Sequence, residues 1–294
     1  SEMPIADVAR AVAFTLKKFA TENPKTIKIT NIDSAVEDLL QSTVSRVSEV
    51  RRTLEKKNFR MVFQPIVRLT SGQVHHVEAL IRVGEDASPA EFVAFTEGIG
   101  LHSDLDLMVL QTVLDLLSAA QSKKQNVPDV SVNISAASLA SRLFLDQLEE
   151  IMRPYGDIPR KLLIDITDIS DVSDLGVLKV GLVRLRKMGI RRCLDDVGGG
   201  TSSFMSLNEL HVDFAKLDGD LVSHAMKDVK GRTILQSIIQ ICGHLGTMVI
   251  AEKVESDDQR IFLRNVGVPL GQGYLLGRPT AELPLVVEAP AKKT

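Results

Sequence analysis

Apolar runs that end on a polar or acidic residue recur along the chain, separated by stretches with apolar residues at every third or fourth position. They are Val77-Glu78-Ala79-Leu80, Val130-Ser131-Val132-Asn133-Ile134, Leu162-Leu163-Ile164-Asp165-Ile166-Thr167-Asp168, Cys193-Leu194-Asp195-Asp196-Val197, Phe214-Ala215-Lys216-Leu217-Asp218, Met248-Val249-Ile250-Ala251-Glu252-Lys253-Val254-Glu255 and Gln272-Gly273-Tyr274-Leu275-Leu276. Alternation of strand and helix patterns implies parallel strands covered by helices. The expected fold is α/β, a (β/α)8 TIM-like barrel, in which all parallel strands end on one face and chemistry is built there from several strands. That face collects Glu78, Asn133, Asp165, Asp195, Asp196, Lys216 and Glu252.

The barrel is predicted to begin at Asn58 to Val67, and the polar turn Thr70-Ser71-Gly72 links that run to Val74-His75-His76-Val77-Glu78 as a hairpin. This gives one antiparallel strand near the start. The tandem histidines have no further histidine at ligand spacing, so a solvated His75 and a partly buried His76 are expected. Upstream, Ile5, Val8, Val12, Leu16 and Phe19 follow helical spacing and Pro24 closes that element. Lys25 to Ile32 reads as a short strand. A second helix from Ala35 carries Val36, Leu40, Val47, Val50 and Leu54 on one stripe; it either packs on its own barrel or joins protomers. The expected organisation is a helical extension over 1–54, the barrel over 55–287 with Leu283 to Val287 beneath it, and a disordered tail over 288–294.

Composition narrows the function classes. With 294 residues, 44% of them hydrophobic and 25% charged, the chain has enough apolar material for a large core. A formal net charge of −3 and no long basic run speak against a groove for polymeric nucleic acid. Cys193 and Cys242 form no disulfide or metal pattern, which suits a cytoplasmic setting. No apolar run approaches a membrane span, and the opening Ser1-Glu2-Met3 leaves room for a natural start upstream, with a membrane or sensor segment there.

Asp195 and Asp196 are adjacent acids at the end of a run, followed at once by Gly198, Gly199 and Gly200. Two neighbouring carboxylates in a partly buried cleft repel each other unless a cation or hydrogen-bond donors compensate. A divalent metal or a solvated Asp pair at an ordinary strand-loop junction both answer that requirement. For Lys216 the plain alternative is a structural ion pair with Asp218, which shares its strand face.

In their order these motifs resemble the EAL domains of bacterial cyclic di-GMP signalling, over about residues 55 to 282. Gln64-Pro65-Ile66-Val67 is similar to the family's first strand, and Glu78-Ala79-Leu80-Ile81-Arg82 carries the naming motif. Pro89 to Leu101, Asn133, Asp195-Asp196, Lys216-Leu217-Asp218, Glu252 to Glu255 and Gln272-Gly273-Tyr274 match the later ones. The resemblance implies binding of cyclic di-GMP, with or without hydrolysis to the linear dinucleotide. It implies one Mg²⁺ or Mn²⁺ on Glu78, Asn133, Asp165 and Asp195, and a second on Asp195, Asp196 and Glu252; all are oxygen ligands that hard cations prefer. Lys216 would orient water and stabilise charge, with Glu252 or Glu255 as proton acceptor. Gln64, Leu80, Arg82, Asp218 and Gln272 are assigned to the ligand, and a homodimer with a protein partner is implied.

The departures from the family bear on turnover. Asp165 and Asp168 stand where the family usually carries glutamates, Asp168 at a position that resembles the anchor of the loop after Asp196. A lost methylene withdraws a carboxylate by about 1.5 Å, against a metal-ligand tolerance of about 0.2 Å. That loop has Val197, Gly199 and Thr201 in place of its usual Phe, Thr and aromatic. Lys253 replaces a glycine, where it would pair with Glu252 or Glu255 or take the place of the second metal. The expectation is a receptor or regulator with weak or absent turnover; an active phosphodiesterase and a ligand-free scaffold are the alternatives.

Overall fold

The computed structural model describes residues 4–22, 32–84, 88–169, 172, 174–198 and 207–284, with backbone only for 19–22 and 32–36. The expected strand over Lys25 to Ile32 lies outside these residues up to Asn31, as do Pro24, the loop from Gly199 to Ser206 and the chain beyond Pro284. Two compact units emerge, Ser1–Arg60 with Ile81–Met108, and Met61–Leu80 with Val109–Thr294.

In the first unit, α1 (Ile5–Glu22) and α2 (Ile32–Lys56) pack on each other, and α3 (Pro89–Gly98) packs on α2. The seam holds Ala11, Thr15, Val47, Val50 and Leu54 together with a buried ion pair, in which Arg51 Nη2 donates to Asp7 Oδ1 at 2.7 Å. Val47, Val50 and Leu54 are the apolar stripe expected of α2. On α1 the buried face is a different one: Asp7, Ala11 and Thr15 are buried, whereas Ile5, Val8, Val12 and Leu16 are exposed. Phe14 sets its ring edge-on to Phe95 at 5.0 Å, against Gly98, where a Cβ would stand 2.6 Å from that ring.

Eight strands close the barrel in chain order. They are β1 (Phe59–Arg68), β2 (Val74–Val83), β3 (Asp129–Ser135), β4 (Leu162–Thr167), β5 (Arg191–Val197), β6 (Phe214–Leu217), β7 (Met248–Ala251) and β8 (Leu270–Gly271). From β2 to β8 neighbours run parallel, while β1 meets β8 antiparallel, the arrangement expected of the opening hairpin. Gly72, at φ 72°, makes that hairpin's turn, its N–H donating to the Arg68 carbonyl at 2.8 Å. The outer helices include α4 (His102–Ser122), α5 (Ala136–Ala140), α6 (Arg142–Met152), α7 (Leu175–Lys187), α8 (Gly219–Lys227), α9 (Val229–Leu245) and α10 (Asp257–Asn265). Side-chain oxygens start several of them: Asp174 on α7, Asp218 on α8, Asp228 on α9 and Ser256 in a capping box with Gln259 on α10.

Because side chains alternate along a strand, residues two apart share the barrel interior. The lower interior is an apolar plug of Ile66, Leu163, Cys193, Phe214, Ile250 and Leu270. Beside it the histidines depart from expectation. His76 is fully buried and His75 half-buried; their Nδ1 atoms lie 2.8 Å apart, and both rings pack against Phe214 at 5.6 to 5.7 Å. The inward register of β2 that aims Glu78 at the interior puts His76 there too, and burial pushes both imidazoles below their ordinary pKa.

Candidate functional site

Two residues above the plug, every strand delivers one polar side chain: Gln64, Glu78, Asn133, Asp165, Asp195, Lys216, Glu252 and Gln272. Lys216 sits at the centre, 1% exposed, with Nζ at 2.9 Å from Asp165 Oδ2, 3.0 Å from Glu78 Oε1 and 3.5 Å from Glu252 Oε1. The plain pairing with Asp218 is not what forms. Asp218 turns to the start of α8, accepting from the Asp220 N–H at 3.1 Å, and Lys253 Nζ approaches it at 3.6 Å. Lys253 therefore pairs with Asp218, correcting the expectation of a contact with Glu252 or Glu255, because its side chain lies along the α8 start.

Glu78 is held from both sides. Asn133 Nδ2 donates to its Oε1 at 2.9 Å and Gln272 Nε2 to its Oε2 at 2.6 Å. Gln272 Nε2 also reaches Gln64 Oε1 at 3.2 Å, and Gln64 Nε2 donates to the Gly277 carbonyl at 3.1 Å. This relay fixes the carboxylate, and no spacing in the sequence announces the Gly277 end of it.

The adjacent acids depend on a bulge. Between Leu194 paired with Ala215 and Val197 paired with Leu217, β5 has two residues, Asp195 and Asp196, opposite the single Lys216 of β6. Regular alternation would send two neighbours to opposite faces. Here Asp196 takes a left-handed φ of 53°, its N–H donates to Asp195 Oδ1 at 3.0 Å, and carboxylate oxygens of Asp195, Asp196 and Glu252 come within 4.8 Å of one another.

Electrostatics follow from crowding five carboxylates against one buried ammonium. Burial alone would push Lys216 down, but Asp165, Glu78, Asp195 and Glu252 hold it well above its ordinary value. Burial works to raise Glu78, yet Lys216 and the two amides outweigh it and keep that group low. Asp165 is pushed up to about 6 by burial and by repulsion from Glu78 and Asp195, with Lys216 opposing. Glu252 rises to about 8 through burial and the neighbouring Asp195, Glu78 and Asp196. Asp195 is raised for the same reasons. Among the described residues Asn133 Oδ1, Asp165 Oδ1 and Gln272 Oε1 stay buried without a partner, and Asp165 Oδ2 meets only the Lys216 ammonium. A cluster of unmatched oxygens with excess negative charge has the chemistry of a hard-cation site.

Other expected residues stand apart from this network. Glu255 is exposed, its N–H donating to Gln259 Oε1 at 2.7 Å, so Glu252 rather than Glu255 meets Lys216 among the described residues. Asp168 is exposed at φ 54°, and the loop it was expected to anchor lies largely outside the described residues. Leu80 is half-buried. Arg82 belongs to the first unit, where its Nη1 donates to the Ile81 carbonyl at 2.9 Å. No described helix is long and apolar enough to cross a membrane.

Comparison with known proteins bears on the same stretch. The cyclic di-GMP phosphodiesterase NbdA of Pseudomonas aeruginosa is 30% identical over 235 residues, covering 79% of this chain and 30% of NbdA. The cyclic di-GMP phosphodiesterase PdeF of Escherichia coli K12 is 26% identical over 244 residues, covering 82% of this chain and 32% of PdeF. The chain thus spans about a third of the length of the curated relatives it matches. The crystal structure of the FimX EAL domain from Pseudomonas aeruginosa bound to cyclic di-GMP superposes with a TM-score of 0.72 at 26% identity, covering 81% of this chain and 98% of that one. The model of the EAL domain matches residues 47–279, which contain the whole polar layer, and the chain belongs to the EAL domain family.

Proposed function

We propose that the chain binds cyclic di-GMP at the mouth of the barrel and hydrolyses it slowly or not at all, acting as a receptor or regulator. The observation that carries this reading is Asp165, fully buried, one methylene shorter than the glutamate usual in the family, with Oδ2 at 2.9 Å from the Lys216 ammonium. Asp165 reaches the lysine, but with one methylene fewer than a glutamate it has less freedom to turn toward an ion as well.

The donor set nevertheless fits Mg²⁺ or Mn²⁺, since the three unmatched acceptors are all oxygens and carboxylates outnumber the ammonium. Glu78, Asn133, Asp165 and Asp195 would hold one ion, and Asp195, Asp196 and Glu252 a second. Such ions, when bound, polarise a phosphodiester and neutralise charge developing on it. The chain's own groups do the rest. Glu252, in its ionised form, would accept a proton from the attacking water, and Lys216 would stabilise the phosphate oxygen that gains charge. The water oxygen bonds to phosphorus, the bond from phosphorus to the 3′ oxygen breaks, and that oxygen takes up a proton to leave linear pGpG. Gln64, Leu80, Arg82, Asp218 and Gln272 are assigned to contacts with the nucleotide.

An efficient phosphodiesterase is the second reading, favoured by the unmatched oxygens and by the bulge that gathers Asp195 and Asp196 with Glu252. Equilibrium dialysis of labelled cyclic di-GMP with Mg²⁺ or Mn²⁺, followed by chromatography of both chambers, separates the two. Intact nucleotide concentrated with the protein supports the receptor. Linear product growing in proportion to protein over minutes makes the chain an efficient enzyme, and equal, uncut nucleotide on both sides refutes both readings.

A further inference from the structure

Lys253 follows Glu252 directly and holds a left-handed backbone, φ 54°, a conformation that costs any residue with a Cβ and that glycine adopts freely. Its stem lies across Gly219, where an added Cβ would stand 2.8 Å from Lys253 Cβ, so the missing side chain at 219 makes the room. The ammonium ends 3.6 Å from Asp218 Oδ1, and the lysine side chain is 65% exposed. An ion pair that long and that open contributes little to stability. The fold therefore keeps a cation in a strained position beside the acidic mouth, with a weak tether that exchanges easily.

Cyclic di-GMP carries two phosphodiesters on opposite sides of one ring. The acids and Lys216 are assigned to the one at the reacting centre; the other calls for a cation at the rim, and Lys253 is next in sequence to Glu252. We propose that Lys253 is that cation: it leaves Asp218 on binding and donates to the second, uncleaved phosphodiester, setting affinity for a nucleotide with two phosphodiesters. This rests on the proposed binding of cyclic di-GMP.

The test compares the wild-type chain with Lys253→Met and Lys253→Gly by equilibrium dialysis of cyclic di-GMP, at low salt and with added NaCl, alongside thermal melting. Loss of one charge-assisted hydrogen bond predicts affinity lower by about tenfold in both variants at low salt, with a flatter dependence on NaCl. Lys253→Gly is expected to melt no lower than the wild type, which separates lost binding from lost folding. Affinity within twofold of wild type in the folded variants overturns the role of Lys253 and leaves the proposed function standing. A wild-type chain that concentrates no nucleotide overturns both.

Discussion

The two layers inside the barrel come from the same strands, two residues apart, and answer to opposite demands. Ile66, Leu163, Cys193, Phe214, Ile250 and Leu270 fill the lower layer with side chains that need only shape. The upper layer crowds Glu78, Asp165, Asp195, Asp196 and Glu252 around one lysine and leaves three buried acceptors unmatched. Close packing of apolar groups supports the fold under all conditions, whereas crowded carboxylates burden it until cations arrive. The lower layer is where the molecule is stabilised, and the upper layer is where buried charge costs stability.

Substitutions break the comparison in different ways. The largest effect is expected from Lys216→Met, which leaves buried carboxylates without their counter-charge and lowers the stability of the chelated protein by about 3–5 kcal/mol; denaturation in EDTA measures it, and a loss below ~1 kcal/mol would mean that the lysine does not balance these acids. In the plug, Leu163→Ala is expected to cost about 2–5 kcal/mol. Its affinity for cyclic di-GMP, measured on the folded fraction, should stay near wild type, and a large loss there would tie the plug to the site.

A smaller effect is expected from pH. Glu252 at about 8 and Asp165 at about 6 stand above their ordinary values of 4.5 and 3.8, so the folded chain binds more protons than the unfolded one between these limits. The stability these groups contribute is fully present below pH about 4 and is lost as pH rises toward 8. His75 and His76, held low by burial, contribute the opposite slope over the same window, so the test is comparative: in EDTA the wild-type chain should lose more stability between pH 5 and pH 8 than Glu252→Gln does, and Mg²⁺ should flatten the wild-type fall by replacing protons. The same change with pH in wild type and Glu252→Gln would contradict the crowding of the upper layer.

Much of this was legible in the sequence. Apolar runs ending on Glu78, Asn133, Asp165, Lys216 and Glu252 give both the barrel and its mouth, because a strand's period of two fixes which residues share the interior. What stayed hidden depends on contacts between distant segments. The bulge that turns Asp196 toward Asp195 and Glu252 is a mismatch of register between β5 and β6, invisible in either strand alone. The triple engagement of Lys216 needs three other strands, and the hold on Gln64 comes from the backbone of Gly277. The outward turn of Ile5, Val8, Val12 and Leu16 accompanies the burial of Asp7, Ala11 and Thr15 on another side of α1, a choice of face that helical spacing alone does not make.

The proposed restraint on turnover centres on Asp165, a shortened acid held by Lys216. Asp165→Glu tests it most directly, by the rate of linear pGpG formation from cyclic di-GMP with saturating Mn²⁺ or Mg²⁺. Restoring the methylene lets the carboxylate turn from Lys216 to an ion, and a rise of at least about tenfold is predicted, the scale on which metal sites respond to repositioned groups. A variant that binds the nucleotide as the wild type does, and cleaves it no faster, would contradict the account.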